Sequence, residues 1–421
     1  MSTHKKIAIV SNTSWNIYNY RMGLLESLEK SGARITVIAP PDEYSDKIGY
    51  SFIPVAMNNH GTNPLEDCRL IVNLYKIYRR IKPDVILHYT IKPNVYGTLA
   101  ARILGIPVIN NIAGLGVMFS RETFYSKIAR LLYKTSLRFA HRVFFQNQDD
   151  LEYFIRQKLV SREKTDRLPG SGIDTTRFAP MPKTRSRNRF VFLLMSRMIW
   201  EKGIDEYVTA AEMISDKYPG VEFQLLGFLD NKNPFAIPSL TVQKWVNSGY
   251  VKYLGATNNV RQYIRQADCI VLPSYYREGV PRTLIEAASM AKPIITTDQV
   301  GCKDVVDDGV NGFLCRKKDA CDLARQMEKM LRLSEVQRNL MGCNGRNKII
   351  LEFDEKFVIE KYVRAIARLG ILPAPVVSRP EPSNLPEPVR VPDPFMEIIT
   401  SEPAVAETPL SHSNASARIA L

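Results

Sequence analysis

Short apolar runs alternate with amphipathic stretches along most of the chain. The apolar runs are rich in Val, Ile and Leu, which is typical of strands buried on both faces of a parallel sheet. In the first part, the pattern predicts strands at residues 6–10, 35–39, 85–88, 108–111 and 143–146, and helices at 23–31, 65–81, 97–104 and 125–140. This alternation predicts one complete doubly wound α/β domain.

The same alternation begins again after a connector. The connector runs from Leu168 to Asp174 and leads into a polar stretch at residues 182–189. Further strands are predicted at residues 190–195, 221–226, 251–254, 269–272, 293–297 and 312–315. We therefore expect an α/β protein with two Rossmann-like domains, residues 1–180 and 181–350, whose strands end at a common central cleft.

The last part of the chain changes character twice. Residues 352–369 carry apolar residues at helical spacing, so we expect a helix within 351–370 that packs back on the fold. Ten of the 26 prolines lie between Pro373 and Pro409, where aromatic residues are few. We expect residues 371–421 to be a disordered tail.

The composition is that of a globular protein with an anionic partner. Of the 421 residues, 45% are hydrophobic and 24% are charged, and the net charge is +14. Residues 371–421 contribute −3, from three Arg against six Asp and Glu, so the rest of the chain carries +17. Such a charge favours nucleic acid, a phospholipid surface or a phosphorylated ligand. Because the sequence has no RNP, KH, zinc-finger or helix-turn-helix signature, we expect no nucleic acid.

The cysteines and the first residues indicate the cellular compartment. The six cysteines form neither a C-x-x-C pair nor a Cys/His cluster with metal spacing, so we expect reduced thiols in the cytoplasm. The start Met-Ser-Thr-His-Lys-Lys lacks the apolar region of a signal peptide, and no apolar run is long enough to span a membrane. We expect a protein that is neither secreted nor membrane-spanning.

Two carboxylates mark the segment that follows the predicted strand 269–272. Glu278 lies in a turn, and Glu286 lies inside a helix that the pattern predicts over residues 284–291. An ionised carboxylate can accept from both members of a vicinal pair of sugar or ribose hydroxyls. The alternative is that a loop Glu and a helix Glu lie eight positions apart by chance.

The residues between these two carboxylates suggest a phosphate site. Pro281 fits the first helical position, where its missing N–H is not needed. The amides of Arg282 and Thr283 would then point outward and could bind an anion. Together with the carboxylates, this favours a nucleotide-sugar diphosphate as the ligand.

Further motifs follow in order along the second half. They are Ser196-Arg197-Met198, Glu201-Lys202-Gly203, Gly227, Glu278-Gly279-Val280-Pro281 with Glu286-Ala287, Gly301 to Val306, and Asn311-Gly312-Phe313. In this order they resemble glycosyltransferase family 4. The resemblance implies the GT-B fold and a transfer that retains the configuration at the sugar.

The first half is similar to a narrower branch of that family. The motifs run from Ser11 to Arg21, from His88 to Asn94 and from Asn110 to Gly116. They resemble bacterial transferases that extend lipid-linked saccharides for glycans and exopolysaccharide, including the N-acetylgalactosaminyltransferase of N-glycan assembly. This implies transfer of a hexose or N-acetylhexosamine from a nucleotide sugar, with UDP expected, to a polyprenyl-diphosphate-linked saccharide. The resemblance covers residues 5–369.

The resemblance also implies a role for each matching residue. Arg197 and Lys202 would neutralise the donor diphosphate, so we expect no metal and no other cofactor. Glu286 would accept from the ribose hydroxyls, and Glu278 would lie beside the donor sugar as a nucleophile or as an orienting group. The other implied donor-binding residues are Gly279, Val280, Pro281, Arg282, Thr283, Gly227 and Asn12.

The first domain is expected to hold the acceptor. The loop from Ser11 to Asn16 has Asn, Thr and Ser where the family usually has paired glycines, and Ala113-Gly114 lacks the His found in many members. The candidates on the acceptor side are His88, Lys92 and Asn94. The alternative for His88 is a packed or hydrogen-bonded residue at the end of a strand.

Basic residues recur at intervals of three or four between residues 125 and 142 and form a stripe along one face of the predicted helix. The cations are Lys127, Arg130, Lys134, Arg138 and Arg142, with Ile128, Leu131, Leu132, Thr135 and Phe139 expected on the other side. A nearby helix adds Arg69, Lys76, Arg79, Arg80 and Lys82. These cations favour peripheral attachment to an anionic membrane surface, on the inner face of the cytoplasmic membrane. The alternative is an ordinary solvated helix face.

A second enzyme class is compatible with the same two-domain fold. A nucleotide-sugar epimerase or hydrolase would share the donor site. Such enzymes are not expected to carry both the Arg197/Lys202 pair and the two-glutamate motif. Release of free sugar without an acceptor would distinguish them from a transferase.

Overall fold

The computed structural model describes residues 4–58, 63–116, 119, 123–184, 189–230, 235–374 and 389–392. These residues form two parallel sheets, one of seven strands and one of six. Each sheet is covered on both faces by helices, which bury one apolar cluster against each face. The predicted α/β class with two Rossmann-like domains is confirmed.

The first domain contains the seven-stranded sheet. Its strands are β1 (Lys5–Val10), β2 (Ala33–Ala39), β3 (Ser51–Pro54), β4 (Val85–Tyr89), β5 (Val108–Ile112), β6 (Arg142–Phe145) and β7 (Thr165–Arg167). Its helices are α1 (Ser14–Tyr20), α2 (Met22–Lys30), α3 (Pro64–Ile81), α4 (Thr98–Ile103), α5 (Phe124–Leu137) and α6 (Gln148–Arg156). The strand order is β3-β2-β1-β4-β5-β6-β7, and the paired strands are parallel.

Four elements of the first domain, β3, β7, α1 and α6, differ from the sequence prediction, and α6 has no predicted counterpart. The strands β3 and β7 form the two edges of the sheet and are only partly buried, so they lack the apolar run that reveals the inner strands. Helix α1 begins where a loop is predicted. The side chain of Thr13 accepts from the amide of Asn16 and caps this helix.

The second domain contains the six-stranded sheet. Its strands are β8 (Phe190–Met195), β9 (Val221–Leu226), β10 (Lys252–Tyr253), β11 (Cys269–Leu272), β12 (Ile294–Thr297) and β13 (Gly312–Cys315). Its helices are α7 (Ile204–Ser215), α8 (Ser239–Asn247), α9 (Val260–Gln266), α10 (Arg282–Ser289), α11 (Ala320–Arg332) and α12 (Glu335–Lys348). The strand order is β10-β9-β8-β11-β12-β13, again with parallel pairs.

Helix α10 begins two residues earlier than predicted. Pro281 has a φ of −63° and a ψ of 121°, so it is extended and precedes the helix as its N-cap. The prediction that Pro281 occupies the first helical position is therefore wrong. The first two helical amides still belong to Arg282 and Thr283, and such amides have no partner inside a helix.

The chain returns to the first domain after the second. Helix α13 (Glu355–Ala367) buries Val358, Tyr362 and Ile366 in the apolar cluster that covers one face of the first sheet. Residue Leu372 joins the same cluster. Within residues 371–421, predicted to be disordered, residues 389–392 contact the second domain, where the amide of Val391 donates to the Gly309 carbonyl at 2.9 Å. The remainder, residues 375–388 and 393–421, lies outside the described residues.

The strand order shows where a ligand crevice forms at each sheet. In each sheet the order reverses at one point, between β1 and β4 in the first and between β8 and β11 in the second. At such a reversal the flanking helices leave to opposite faces, which opens a crevice at the carboxyl ends of the two strands. The predicted donor residues of the second domain follow β8, β9 and β11 at this edge.

Candidate active site

A short segment after β11 joins the two domains. The side-chain amide of Asn147, at the start of α6, donates to the main-chain carbonyls of Glu278 and Gly279, each at 3.0 Å. The guanidinium of Arg277 pairs with the buried carboxylate of Asp150 at 2.6 Å. Residues 277–279 thus belong to the second domain but are held by the first. The position of Glu278 depends on both domains.

Glycines allow the two backbones to approach at this contact. A Cβ atom at Gly279 would collide with the Ala113 carbonyl, and one at Gly114 would collide with the Gly279 amide. The amide of Gly116 donates to the Arg277 carbonyl at 3.1 Å. The contact is main chain against main chain and leaves no room for a side chain.

An ion pair between Lys202 and Glu278 lies at the centre of the site. Lys202 ends a 3₁₀ turn just after β8 and is only 8% exposed, and its Nζ donates to Oε1 of Glu278. The hydroxyl of Ser274 donates to the same oxygen at 3.3 Å. Because both groups are largely removed from water, their attraction is stronger than in a surface pair, and the loss of either would leave a buried charge.

A second ion pair lies in the first two turns of α10. The Nε of Arg282 is 3.0 Å from Oε1 of Glu286, one turn further along the helix. Burial raises the pKa of Glu286, and the Arg282 guanidinium opposes this shift. Arg282 also donates to the carbonyl of Gly172 and, at 3.3 Å, to the hydroxyl of Ser171. The start of α10 is thereby fixed to the connector between the domains.

Helix α1 of the first domain faces α10 across the cleft. The guanidinium carbon of Arg282 lies 5.0 Å from the ring centre of Tyr20. Burial and the Glu286 carboxylate raise the pKa of Tyr20, while Arg282, Arg21 and Arg197 oppose the rise. These charged side chains therefore share one electrostatic environment, although they come from both domains.

The other predicted donor residues lie at the same edges. Gly227 follows β9, and a Cβ atom there would collide with the Ser196 carbonyl. Val280 is buried, and the hydroxyl of Thr283 donates to the last carbonyl of β8 at 3.0 Å. Asn12 follows β1 at the cleft edge of the first sheet and is partly exposed.

Three residues at this site are absent from the sequence predictions. They are Asn147, Asp150 and Ser274. The available signal was the polar run after the apolar strand β6 for Asn147 and Asp150, and the end of β11 for Ser274, because polar residues at a carboxyl strand end mark the functional edge of a parallel sheet. The partners of Asn147 and Asp150 in the second domain follow from tertiary contact and have no counterpart in local sequence.

The prediction that His88 contacts an acceptor is wrong. His88 is fully buried, and its ring nitrogens lie 3.0 Å from the hydroxyl of Tyr78 and 3.0 Å from Oδ1 of Asn110. Burial lowers the pKa of His88 to about 4. A Cβ atom at Gly97 would collide with the ring, so only glycine at this position allows the backbone to pack against His88.

Asn94 and Lys92 are also part of the packed first domain. Asn94 is 1% exposed, and its amide donates to the Asn111 carbonyl at 2.7 Å. This burial favours a packing role for Asn94 within the first domain, and its contact with an acceptor stays a prediction. Lys92 pairs with Asp67 of α3 at 2.7 Å, so its ammonium group is held by the first domain's own carboxylate.

Helix α5 exposes more apolar surface than the sequence predicts. Ile128 and Leu131, expected on the inner side, are 40% and 64% exposed, and Phe124 is 74% exposed. The inner side is formed instead by small residues and by Tyr133 and Leu137. The outer face of α5 is therefore an apolar row flanked by Lys127, Lys134 and Arg138, all exposed.

No group of three or more His, Cys, Asp or Glu side chains is placed to hold a metal ion in the part of the chain that the structure describes. Across the same residues, no helix combines the length and apolar character needed to cross a membrane.

Comparison with known families divides the chain at the same place as the fold. The family described as Glycosyl transferase 4-like matches residues 6–147, and the family described as Glycosyl transferases group 1 matches residues 178–348. Together the two matches span about three quarters of the chain.

The chain is similar to curated bacterial enzymes over most of their length. It is 28% identical to the N,N'-diacetylbacillosaminyl-diphospho-undecaprenol alpha-1,3-N-acetylgalactosaminyltransferase of Campylobacter jejuni, over 86% of this chain and 99% of that protein. It is 26% identical to the UDP-Gal:alpha-D-GlcNAc-diphosphoundecaprenol alpha-1,3-galactosyltransferase of Escherichia coli, over 74% of this chain and 82% of that protein.

The fold is shared with a solved structure of an Anabaena protein. HepE in complex with UDP-glucose superposes with a TM-score of 0.70 at 18% identity, over 87% of this chain and all of that chain. At this identity the likeness establishes the two-domain architecture.

The contact between the domains predicts the effect of Gly279→Ala. The added methyl group would overlap the Ala113 carbonyl, which the domains can relieve only by separating. A clash of this kind costs roughly 1–3 kcal/mol, so exchange of the Gly116 amide with solvent should become about tenfold faster or more. Hydrogen exchange monitored by mass spectrometry or NMR measures this rate.

Gly220→Ala is the matched control. A Cβ atom at Gly220 meets no other atom within 4 Å, so this variant should leave the Gly116 exchange rate unchanged. Equal exchange at Gly116 in Gly279→Ala and in the unaltered chain would contradict the proposed packing of segment 277–279.

Proposed function

We propose that this chain, a glycosyltransferase of the GT-B fold, transfers a hexose or N-acetylhexosamine from a UDP-sugar to a polyprenyl-diphosphate-linked saccharide. The Campylobacter and Escherichia relatives, whose names specify diphospho-undecaprenol substrates, support this acceptor class and a role in bacterial glycan or exopolysaccharide synthesis. The observation that carries the proposal is the carboxylate of Glu278, which faces the cleft edge between two domains and is paired with Lys202.

The second domain supplies groups that match each part of a nucleotide sugar. The carboxylate of Glu286 is an acceptor for the vicinal hydroxyls of ribose. The amides of Arg282 and Thr283 at the start of α10 would bind the diphosphate together with the exposed guanidinium of Arg197. Donor binding would therefore use the crevice between β8 and β11.

The transfer step then requires charge stabilisation more than a separate base. The bond between the anomeric carbon and the diphosphate oxygen breaks, and a bond from the acceptor oxygen to the same carbon forms on the same face. The acceptor proton passes to the departing diphosphate, which leaves as the nucleoside diphosphate. Arg197 and Lys202 stabilise the negative charge that develops on this leaving group.

Glu278 is best explained as the group that orients the donor sugar. Lys202 and Ser274 both donate to its Oε1, so the carboxylate is fixed in direction by the second domain. Asn147 fixes its main-chain carbonyl from the first domain. A carboxylate held in this way is preorganised to accept from sugar hydroxyls.

We further propose that the reaction needs no metal ion. The positive charge that a metal provides in other transferases would come from Arg197 and Lys202. Activity that is insensitive to EDTA would support this proposal, and activity restored only by a divalent ion would overturn it.

The same protein would work at an anionic membrane surface, where a lipid-linked acceptor resides. The exposed apolar row of α5 is flanked by cations, which suits the interface of an anionic leaflet. Beside it, a groove of about 830 Å³ between α5 and α6 is lined by Lys134, Arg138, Lys158, Arg162 and Lys164. Its lining includes no carboxylate. We propose that this face of the first domain attaches peripherally to the inner face of the cytoplasmic membrane.

A donor screen tests the proposed reaction. UDP and GDP sugars are offered with a polyprenyl-diphosphate saccharide, and release of nucleoside diphosphate is measured. We expect turnover with a UDP-hexose or UDP-N-acetylhexosamine and a product of retained anomeric configuration. Glu278→Gln should lower kcat by about a hundredfold or more with a much smaller change in donor KM, because the orienting contact matters most in the transition state.

The outcomes of this screen separate the alternatives. If free sugar is released as fast without an acceptor as with one, the enzyme is a hydrolase and not a transferase. Near-normal kcat in Glu278→Gln would contradict the role given to Glu278. Lys244→Gln, at an exposed position of α8, is the matched control and should keep full activity.

Membrane attachment predicts a specific effect of Leu131→Glu. Burial of a leucine side chain contributes roughly 1.5–3 kcal/mol, so binding to vesicles that contain phosphatidylglycerol should weaken by about tenfold or more. Co-sedimentation with vesicles measures this binding. Binding to vesicles of phosphatidylcholine alone should be weak for both proteins, because the flanking cations need an anionic surface.

Val336→Glu provides the control for this experiment. Val336 is 76% exposed on α12 of the second domain, so its replacement adds the same charge away from the proposed face. Attachment that does not depend on anionic lipid, or that Leu131→Glu leaves intact, would overturn the proposal.

A further inference from the structure

Arg21 is a buried cation in the first domain whose charge is not balanced within the fold. It lies between α1 and α2 and is only 3% exposed. Its guanidinium carbon lies 4.3 Å from the ring centre of Tyr89 at the end of β4. Among the described residues it forms no ion pair, and its Nε has no acceptor.

A buried guanidinium is unfavourable unless a ligand supplies the missing negative charge and hydrogen-bond acceptors. Removing a charge from water is unfavourable, and buried charges are normally paired or hydrogen-bonded. The stacking on Tyr89 offsets only part of this cost. The remaining donors of the planar guanidinium suit two oxygens of a phosphate.

Two other polar groups in the segment from Ser11 to Arg21 also lack partners in the described part of the chain. Ser11 is fully buried at the carboxyl end of β1, and its Oγ has no hydrogen-bond partner. The buried Oδ1 of Asn16, in α1, has none either. Ser11 directly follows β1 and Tyr89 ends β4, and these are the two strands between which the order of the first sheet reverses. Because Val10 pairs with His88, Ser11 lies beside Tyr89. The three polar groups therefore belong to the ligand crevice that this reversal creates.

The charges across the cleft point to the same ligand. In the second domain, Lys202 is paired with Glu278, and Arg282 is paired with Glu286. Arg197 forms no ion pair with the described residues and supplies one positive charge. A diphosphate carries at least two negative charges, and Lys202 shares its positive charge with Glu278, so a further cation besides Arg197 and Lys202 would strengthen binding. Arg21 directly follows Tyr20, whose ring centre lies 5.0 Å from the guanidinium carbon of Arg282 in the second domain.

We propose that Arg21, together with Ser11 and Asn16, binds a diphosphate in the first-domain crevice. The guanidinium of Arg21 donates to phosphate oxygens, the Ser11 hydroxyl donates to the same group, and Oδ1 of Asn16 accepts from a neighbouring sugar hydroxyl. This inference rests on the proposed function, because its substrates contain two diphosphates, one in the donor and one in the lipid-linked acceptor. The observations on Arg21, Ser11 and Asn16 fit a diphosphate from either substrate. The experiment below distinguishes the donor from the acceptor.

Binding of small diphosphates to Arg21 variants tests the inference. UDP represents the donor, and farnesyl diphosphate represents the acceptor. We expect Arg21→Met to weaken one of them by roughly tenfold to hundredfold in calorimetric titration, as for loss of a charged hydrogen bond. Arg21→Lys should give an intermediate affinity, because it keeps the charge but not the planar fork. Arg34→Met, at an exposed position of β2, should bind both ligands normally.

Thermal unfolding distinguishes ligand binding from a structural role. If Arg21 serves to bind an anion, Arg21→Met should unfold at the same or a higher temperature than the unaltered chain when no ligand is present. Diphosphate should then raise the unfolding temperature of the unaltered chain but not that of the variant. If Arg21 mainly supports Tyr89, the variant should unfold at a lower temperature and keep its affinity for both diphosphates. That second result would overturn the inference.

The remaining outcomes are also decisive. A selective loss of UDP affinity would assign the crevice to the donor, and a selective loss of farnesyl diphosphate affinity would assign it to the acceptor. Unchanged affinity for both ligands in Arg21→Met would overturn the inference and leave the proposed function standing. Failure of the unaltered chain to bind either diphosphate would overturn the proposed function, and this inference with it.

Discussion

The contact of residues 277–279 with the first domain is the constraint on which the rest of the site depends. Two hydrogen bonds from Asn147 hold the main chain on either side of the Glu278–Gly279 peptide, and an ion pair between Arg277 and Asp150 fixes the preceding residue. This contact is made by main chain against main chain, which only glycine permits at positions 114 and 279. The position of Glu278, and with it the proposed orientation of the donor sugar, therefore depends on the relative position of two domains that fold around separate apolar clusters.

The two domains contribute different chemistry to the cleft. The second domain presents carboxylates that are each paired with a cation, so its hydroxyl-binding groups are ordered before a ligand arrives. The first domain presents buried polar groups whose partners are not provided by its own described residues, with Arg21 foremost. Because Arg197 of the second domain and Arg21 of the first both lack a carboxylate partner among the described residues, binding of an anionic substrate between the domains would favour the arrangement in which they meet. Catalysis and domain contact would then be thermodynamically linked.

Much of this fold could be predicted from the sequence because buried parallel strands are continuous apolar runs. The strands β8, β9, β11 and β13 match their predicted bounds, whereas the edge strands β3 and β7 are short and partly exposed and leave no such run. Motif order predicted the second-domain half of the site. His88 was misassigned because a polar residue at a strand end looks the same in sequence whether it faces the cleft or a helix. Asn147 and Arg21 were missed because their importance lies in tertiary contact.

The most direct test is a double-mutant cycle on kcat/KM between Asn147→Ala and Lys202→Met. These residues lie in different domains, and each holds Glu278, one by its main-chain carbonyl and the other by its carboxylate. If the site exists only where the domains meet, the two losses should be non-additive, with a coupling energy of about 1 kcal/mol or more. Additivity to within about 0.5 kcal/mol would mean that the domains act independently on Glu278 and would contradict this account.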